Sequence, residues 1–428
     1  MRHGLSVLLA SVAIMTAGAA CTSAPEPAPG SVVKGFVGRC GTQFCVDGKT
    51  FYFAGSNTYD MFTFGTWSDD IDARSIDTKR IDGHFARLQR DGVSVLRLWM
   101  FSHEAWHGFE PAKGVFNESQ FVLFDYIIAS AGRHGIRLLP VLENYWTAYG
   151  GIDARLRWEG LPGGDEHRGA FFDATRCSGC SAQYKAYVQH ALTRVNTYTG
   201  VAYRDDPVIL GWDLMNEPRY EDEEPGESGA VIRSWVDEMG AFVKSIDHNH
   251  MVTIGLEGND PRYGFGCGHG NPFIEIYRSP YIDFTSTHVY PMGDATKMTL
   301  TQMKALMRGM VHDSHNVLGK PFYLAEFNVD PPGRAHWWAG VFAELERSGA
   351  NGIGFWWYQD REVDAETGVV EGAPELAAFR ALSERQAAKS GGTPTSPEVS
   401  APATPAAAVV QQPPTNCPEQ ANAADESQ

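Results

Sequence analysis

Residues 208–218 read VILGWDLMNEP, a short apolar run that changes abruptly to the polar residues Asn216 and Glu217 and then to Pro218. An apolar run of this length predicts a strand that is buried on both faces, as in a parallel sheet. Seven further runs, rich in β-branched and aromatic residues, predict strands of the same kind. They are residues 51–58, 93–101, 136–144, 251–257, 282–290, 321–328 and 352–358.

Amphipathic segments separate these strands, with apolar residues near the helical period. Alternating strands and helices favour a parallel sheet covered by helices, and eight such units predict one closed (β/α)8 TIM barrel. The alternative is an open doubly wound sheet, which normally carries a glycine-rich phosphate-binding turn after its first strand. Gly55-Ser56-Asn57 lacks that pattern, so we expect the barrel and no nucleotide site. The predicted helices are 77–91, 119–134, 182–198, 229–247, 300–315 and 334–348.

Composition limits the partners that the chain can bind. The 428 residues carry 35 basic and 52 acidic side chains, which gives a formal net charge of −17. Such a charge provides no attraction to nucleic acid or to an anionic membrane surface. Aromatic residues make up 12% of the chain, and flat aromatic rings suit the CH-rich faces of sugars. We therefore expect a neutral partner and no nucleic acid. We also expect no cofactor and a monomer.

The two ends of the chain differ in composition from its middle. Residues 1–21 have a basic start, an apolar stretch and small residues, which predicts an export signal. Its last four residues, GAAC, resemble a bacterial lipobox, so Cys21 is a lipidation candidate, and ordinary cleavage before Cys21 is the alternative. We interpret 22–35 as a proline-rich linker and 387–428 as a disordered Pro/Ala/Thr-rich tail. The domain is then 36–386, exported from a bacterium, with the membrane reached only through a lipid anchor.

Export also changes how the seven cysteines are interpreted. In an oxidising compartment, closely spaced cysteines favour local disulfides. We expect them within the pairs Cys40/Cys45 and Cys177/Cys180. The CxxC spacing of the second pair would suit redox chemistry or zinc in the cytosol, but no second CxxC and no spaced histidine pair accompanies it. Cys267 and Cys417 remain unassigned.

In a (β/α)8 barrel the chemistry lies at the carboxyl ends of the strands. Glu217 follows the fourth predicted strand and Glu326 ends the seventh. A glutamate in an apolar run is costly unless it is compensated, and a single one could be a salt-bridged rim residue. Two of them with polar and aromatic partners favour a site. The partners at other strand ends are Arg97, Trp99, Asn144, Trp146, Asn216, His288, Tyr290 and Trp356.

Two carboxyl groups without a metal cluster suit cleavage of a glycosidic bond. One protonates the leaving oxygen, and the other attacks the anomeric carbon or activates water. A separation of about 5–5.5 Å would mean retention of configuration, and about 6.5–9.5 Å would mean inversion. We therefore predict Glu217 and Glu326 as catalytic residues and expect no metal site.

The segment VNTYTGVAYRDDPVILGWDLMNEPR (195–219) resembles glycoside hydrolase family five, and its endo-β-1,4-mannanases most of all. The resemblance extends over about residues 36–385. It also includes FAGSNTYDM (53–61), LLPVLENYWTAYGG (138–151), FFD (171–173), DFTSTHVYP (283–291), KPFYLAEF (320–327) and the Phe-Trp pair 355–356.

The resemblance implies a role for each matching residue. Glu217 corresponds to the general acid/base and Glu326 to the nucleophile of a retaining enzyme. Arg97 would orient Glu326 and keep it ionised by lowering its pKa, whereas apolar walls would raise the pKa of Glu217. Asn216 would bind the sugar 2-hydroxyl.

Further matches surround the two glutamates. His288 and Tyr290 would support them, with Tyr290 contacting the nucleophile, and Trp356 would form the platform under the reacting sugar. Asn144, Trp99 and Trp146 are further candidates for binding or supporting the substrate.

Some positions depart from the mannanase pattern, and they lie where the sugar would bind. The third strand ends in ENYW (143–146), the eighth in FWWY (355–358), and the loop 258–272 matches poorly. The prediction is a mannanase acting on mannan, glucomannan or galactomannan. A β-1,4-glucanase of the same family, a transglycosylase and a non-catalytic surface-anchored glycan-binding protein are the alternatives.

Overall fold

The computed structural model describes residues 30–64, 76–220, 222, 228–258, 269–292 and 297–393. Eight parallel strands close into a barrel, which confirms the predicted (β/α)8 fold. The barrel strands are β4 (Phe53–Asn57), β5 (Val95–Trp99), β6 (Arg137–Val141), β7 (Gly211–Asn216), β8 (Met251–Leu256), β9 (Thr285–Val289), β10 (Phe322–Phe327) and β11 (Gly352–Phe355). Their order around the barrel is β10-β11-β4-β5-β6-β7-β8-β9.

Helices surround the barrel, and the six predicted ones are present. Two of them differ from the prediction near their ends. The helix predicted over 182–198 stops at Thr193, and the one over 300–315 continues from His312 as one turn of π-helix. The helices are α1 (Thr78–Arg90), α2 (Glu118–Arg133), α3 (Gly151–Trp158), α4 (Cys180–Thr193), α5 (Ala230–Ile246), α6 (Phe273–Tyr277), α7 (Leu300–His312), α8 (Arg334–Ser348) and α9 (Leu376–Lys389).

Local sequence explains where these helices begin and which face they bury. The Thr299 side chain accepts from the backbone of Gln302, whose own side chain returns to Thr299, so a capping box starts α7. In α1 the buried residues Ile81, Phe85 and Leu88 recur at helical spacing and face the barrel. This core between sheet and helices is continuous around the barrel.

A small antiparallel sheet, which was not predicted from the sequence, closes the bottom of the barrel. It consists of β1 (Val37–Cys40), β2 (Gln43–Val46) and β3 (Lys49–Thr50). Phe44 of β2 reaches into the barrel floor, where its ring centroid lies 5.4 Å from that of Phe53 and 5.1 Å from that of Phe284. The floor is therefore a packed layer, and substrate can enter only from the other end.

Two disulfides confirm the predicted local pairs. Cys40 and Cys45 join β1 to β2, with Cα atoms 5.9 Å apart, and Cys177 and Cys180 join the start of α4 at 5.5 Å. Cys21, Cys267 and Cys417 lie outside the described residues.

The folded domain extends beyond the predicted limits of 36 and 386. The backbone N–H of Val32 donates to Gly132, and Arg137 donates to the carbonyl of Lys34, so the end of the predicted linker is part of the domain. At the other end α9 runs to Lys389, and Gly391 then bonds to Thr50. The prediction of disorder is therefore wrong for residues 387–393, because backbone hydrogen bonds fix them beneath the barrel.

The predicted signal (1–21) and most of the tail lie outside the described residues. Within the part of the chain that the structure describes, no helix has the length and apolarity needed to cross a bilayer.

Candidate active site

Irregularities in two strands place the two glutamates at the barrel mouth. The register of β7 against β8 shifts between Asp213 and Asn216, and that of β10 against β9 shifts at Glu326. Such bulges turn side chains away from the regular alternation. Glu217 also has φ of 51°, a left-handed conformation that costs a non-glycine residue about 1–3 kcal/mol. Its backbone N–H donates to Gly255 at 2.9 Å, which helps to hold this conformation.

Glu217 and Glu326 face each other across the mouth, as the sequence predicted. One oxygen of each lies, together with a ring nitrogen of His288, in a group whose atoms are all within 4.8 Å of one another. His288 Nδ1 is 2.8 Å from Glu217 Oε1 and 3.4 Å from Glu326 Oε1. Trp146 donates to the other oxygen of Glu217 at 2.7 Å, and Tyr290 donates to Oε2 of Glu326 at 2.6 Å.

Arg97 lies beneath the pair and is fully buried. Its Nη1 donates to Glu326 Oε1, its Nε donates to Asp213 at 2.9 Å, and its Nη2 donates to Asn216 at 2.9 Å. A fourth acceptor, Asn57 Oδ1, lies 3.2 Å from Nη1. This fork fixes Arg97 in one position, because a guanidinium presents its donors in a rigid plane.

Asp213 and Asn57 were missed as site residues. Asp213 is buried in β7 only four positions before Glu217, and it shows the same signal that singled out Glu217, an acid inside an apolar run. Asp213 is a second acid that pairs with the buried Arg97, in addition to Glu326, and a buried charge needs such pairing.

The predicted site residues that remain form two groups, the amides Asn144 and Asn216 and the aromatic residues Trp99 and Trp356. Asn216 donates to Asn144 Oδ1 at 3.0 Å, so Asn144 orients Asn216. Trp356 is partly exposed, and it stacks on Tyr59 with ring centroids 5.1 Å apart and an interplanar angle of 9°. Trp99 is 6% exposed and packs against Tyr59 at 4.9 Å, so it supports this cluster from below.

Burial raises the pKa of Glu217 to about 7, and the negative charge of Glu257 adds to this effect. The hydrogen bond from Trp146 and the charges of Arg219 and Arg97 act in the opposite direction. Arg219 pairs with Glu257 at 2.5 Å and lies over the Trp146 ring, 4.6 Å from its centroid. Arg219 and Glu257 were also missed. Only the adjoining Asn-Glu-Pro motif pointed to Arg219, and Glu257 precedes the loop that matched poorly.

The expected low pKa of Glu326 is wrong in direction. Burial raises the pKa of this carboxyl group above its usual range, although Arg97 and the Tyr290 hydroxyl favour the ionised form. Burial also lowers the pKa of His288 to about 4. His288 is therefore neutral at neutral pH, and Arg97 is the cation that holds the negative charge of Glu326.

Glu217, His288 and Glu326 are also a group that could hold a metal ion. Each of the two glutamates already accepts from a neighbour, Trp146 and Tyr290 respectively, and Arg97 occupies a further oxygen of Glu326. A cation at this position would have to displace these donors and would meet Arg97, so the geometry favours acid and base chemistry of the carboxyl groups.

Known proteins are similar to this chain in sequence and in fold. The family described as GH family 5 beta-mannosidase-like matches residues 34–304. Mannan endo-1,4-beta-mannosidase 2 of Arabidopsis thaliana is 33% identical over 347 residues, which is 74% of this chain and 76% of the relative. Mannan endo-1,4-beta-mannosidase 3 of Oryza sativa is 34% identical over 326 residues, which is 73% of this chain and 66% of the relative.

Among solved structures, the endo-1,4-beta-mannanase from Rhizomucor miehei superimposes with a TM-score of 0.69 at 26% identity. The match covers 82% of this chain and 99% of that structure. The barrel, its paired carboxyl groups and these relatives lead to one assignment: the chain belongs to glycoside hydrolase family 5, is similar to its β-mannosidase-like members and is a glycoside hydrolase.

Proposed function

We propose that the protein is a retaining endo-glycosidase that cleaves internal β-1,4-mannosidic bonds of mannan, glucomannan or galactomannan by double displacement. The observation that carries the retaining mechanism is the short gap between the glutamates, with one oxygen of each within 4.8 Å. This agrees with the separation of about 5–5.5 Å at which a carboxylate attacks directly, and it leaves no room for the water that inversion requires.

In the first step Glu326 attacks the anomeric carbon while Glu217 gives its proton to the leaving oxygen. A pKa of about 7 keeps Glu217 protonated in mildly acidic solution, as an acid catalyst must be. Arg97 and Tyr290 hold both oxygens of Glu326 and so direct the carboxylate. In the second step the ionised Glu217 takes a proton from water, which then attacks the covalent glycosyl-enzyme and releases Glu326.

The surrounding residues position these groups. His288 and Trp146 each hold one oxygen of Glu217, so the orientation of its carboxyl group is fixed. Asn216, oriented by Arg97 and Asn144, would bind the 2-hydroxyl of the reacting sugar. Trp356 would carry the apolar face of that sugar.

The preference for mannan is supported by the plant relatives, which are named mannan endo-1,4-beta-mannosidases, and by the Rhizomucor miehei endo-mannanase. We test it by measuring hydrolysis of glucomannan, galactomannan, carboxymethyl cellulose and xylan. Faster cleavage of carboxymethyl cellulose than of either mannan would contradict the mannan assignment and favour the glucanase. Masses of the products would reveal transglycosylation.

Substitution tests the catalytic roles. Glu217→Gln and Glu326→Gln should each lower kcat by at least about 10³, because each removes a group from the reaction itself. Glu238→Gln, an exposed glutamate of α5, is the matched control. If wild type binds mannan but Glu217→Gln changes no activity, the glycan-binding alternative is correct.

We also propose export, with lipid attached at Cys21. The two disulfides support an oxidising compartment, because local disulfides of this kind persist there. Labelling of cells with a radioactive fatty acid tests the anchor, and Cys21→Ala should abolish the label. Sedimentation of the purified protein tests the expected monomer.

A further inference from the structure

A cluster of buried charges lies between the end of β6 and α3. Glu143 follows the end of β6 by two residues, and Arg155 lies in α3. Arg155 donates from Nε to Oε2 of Glu143, and from Nη1 to Oε2 of Glu110 at 3.1 Å. His103 completes the cluster, with its Nε2 3.1 Å from Oε2 of Glu143. Glu143, Arg155 and Glu110 are fully buried, so they can act on a substrate only through other residues.

Glu143 stays ionised in this cluster. Burial alone would raise the pKa of its carboxyl group, but the charges of Arg155 and His103 and their hydrogen bonds lower that pKa to about 2. The carboxylate therefore accepts hydrogen bonds over the whole pH range in which Glu217, with a pKa of about 7, exchanges its proton. One such bond comes from the backbone N–H of Asn144, which donates to Oε1 of Glu143 at 2.9 Å.

This bond helps to fix Asn144, the residue that orients Asn216. The carbonyl of Asn144 accepts from the N–H of Ile152, near the start of α3, at 2.9 Å. With its backbone held on both sides, Asn144 presents Oδ1 to Nδ2 of Asn216 at 3.0 Å. The carbonyl of Glu143 also accepts the backbone N–H of Asn216 at 2.9 Å. The side chain and the backbone of Asn216 therefore both depend on residues 143–144.

Packing alone does not explain a charge at position 143. Transfer of two charges from water to the interior is costly, and well-packed apolar residues of similar size are often as stable as a buried ion pair. An apolar side chain could fill the same space, but it could not accept the N–H of Asn144. Glu143 also belongs to ENYW (143–146), a segment that departs from the mannanase pattern. Both observations favour a role in the site over a role in packing.

We propose that Glu143 and Arg155 are positioning residues for Asn216. Their buried ion pair ties the end of β6 to α3 and so fixes Asn144, which gives Asn216 a single orientation toward the 2-hydroxyl of the reacting sugar. The inference rests on the proposed function, in which Asn216 binds that hydroxyl, and it extends the site to two residues that do not touch the substrate. Hydrogen bonds to the 2-hydroxyl strengthen in the transition state, so loss of this orientation slows the attack on the anomeric carbon.

The test compares a 2,4-dinitrophenyl β-mannobioside with its analogue that lacks the 2-hydroxyl of the reacting sugar. This leaving group departs without protonation, so kcat/KM reports on the attack by Glu326 and not on the acid. The readout is the ratio of kcat/KM for the two substrates, the hydroxylated one over the deoxy analogue. Comparison of this ratio between variants cancels the intrinsic difference in reactivity of the two substrates.

Two substitutions of Glu143 separate its functions. Glu143→Leu fills the space and removes both the acceptor and the ion pair, so the ratio should fall at least about tenfold, because transition-state bonds to this hydroxyl are worth more than that factor. Glu143→Gln keeps an acceptor oxygen for Asn144 and loses only the charge, so the ratio should fall by about threefold. A lower ratio in Glu143→Gln than in Glu143→Leu would contradict the role of the acceptor.

Thermal unfolding separates positioning from folding. Glu344 of α8 is the matched control, because it is also fully buried and also paired with an arginine, Arg308. Glu344→Leu should lower Tm and leave the ratio unchanged. If Glu143→Leu does not fold, Arg155→Lys takes its place. Lysine keeps the charge but lacks the planar fork that joins Glu143 to Glu110, so the ratio should fall at least about threefold.

The outcomes distinguish this inference from the proposed function. A wild-type ratio in folded Glu143→Leu, or in Arg155→Lys in its place, would overturn the positioning role alone. An equal fall in Glu344→Leu would trace the effect to lost stability and would also overturn it. A wild-type ratio no higher than that of spontaneous hydrolysis would show that the enzyme does not use the 2-hydroxyl, which overturns the inference and leaves the glycosidase. A wild type that cleaves neither these substrates nor any mannan would overturn both proposals.

Discussion

Trp146 donates its indole N–H to Oε2 of Glu217 at 2.7 Å. Burial raises the pKa of this carboxyl group to about 7. A donor to the ionised form stabilises it and lowers the pKa. The Trp146 hydrogen bond therefore makes the pKa of Glu217 lower than burial alone would make it. A lower pKa helps Glu217 to lose its proton in the first step and to act as a base in the second.

Replacement of Trp146 should raise the pKa of Glu217. Trp146→Phe keeps an aromatic ring and removes the N–H, so the alkaline limb of the kcat/KM profile should move to higher pH, and kcat/KM at its optimum should fall about tenfold. A pH series between 4 and 9 measures both. Trp337→Phe on α8 is the control, and an alkaline limb that stays in place in Trp146→Phe would disprove the role of this hydrogen bond.

Replacement of Glu257 should lower the pKa of Glu217. The charge of Glu257 raises the pKa of Glu217, and its loss also removes the acid that pairs with Arg219, whose charge favours the ionised form of Glu217. Because activity needs protonated Glu217 and is lost as the pH rises through its pKa, the alkaline limb of Glu257→Gln should move to lower pH. The same pH series applies. A shift to higher pH would show that another group controls this limb.

Removal of Arg97 should affect both folding and catalysis. Arg97→Met leaves Asp213 and Glu326 as buried acids without their cation, which should reduce the free energy of unfolding by about 3–5 kcal/mol. Urea denaturation measures this change. The double variant Arg97→Met/Asp213→Asn should recover part of the stability and none of the activity. Full stability in the single variant would show that the buried pairs contribute little.

Azide can distinguish the two glutamates. In Glu326→Ala a small anion can take the place of the missing nucleophile and attack the anomeric carbon directly, so an activated β-mannoside should give the α-mannosyl azide. In Glu217→Ala the covalent intermediate still forms, and azide should then give the β-mannosyl azide. Nuclear magnetic resonance identifies the anomers. The reverse pattern would exchange the roles assigned to the two residues.

Sequence patterns could predict the barrel because apolar strands and amphipathic helices recur along the chain with different periods. The two glutamates were found because a charge within an apolar run is costly and therefore informative. The same rule applied to Asp213 would have found the second partner of Arg97. Tyr59 gave no such signal, because its importance comes from its stacking on Trp356, which is distant in the sequence.

The pKa of Glu326 was predicted with the wrong sign for a related reason. The presence of Arg97 could be inferred from sequence, but the depth of burial of the carboxyl group could not. Nor could the small sheet of β1 to β3 be predicted, because its short strands have too few residues to show a period. The sequence signal available for this sheet was the Gly41-Thr42 turn between Cys40 and β2.

The hydrogen bonds that fix residues 32–34 and 391 lie at the floor of the barrel, opposite Glu217 and Glu326. Both ends of the described chain therefore leave from the face that is remote from the catalytic mouth. A fusion partner or immobilising support joined at either end would sit behind the enzyme, and a polymer approaching from the front could still enter the cleft unobstructed.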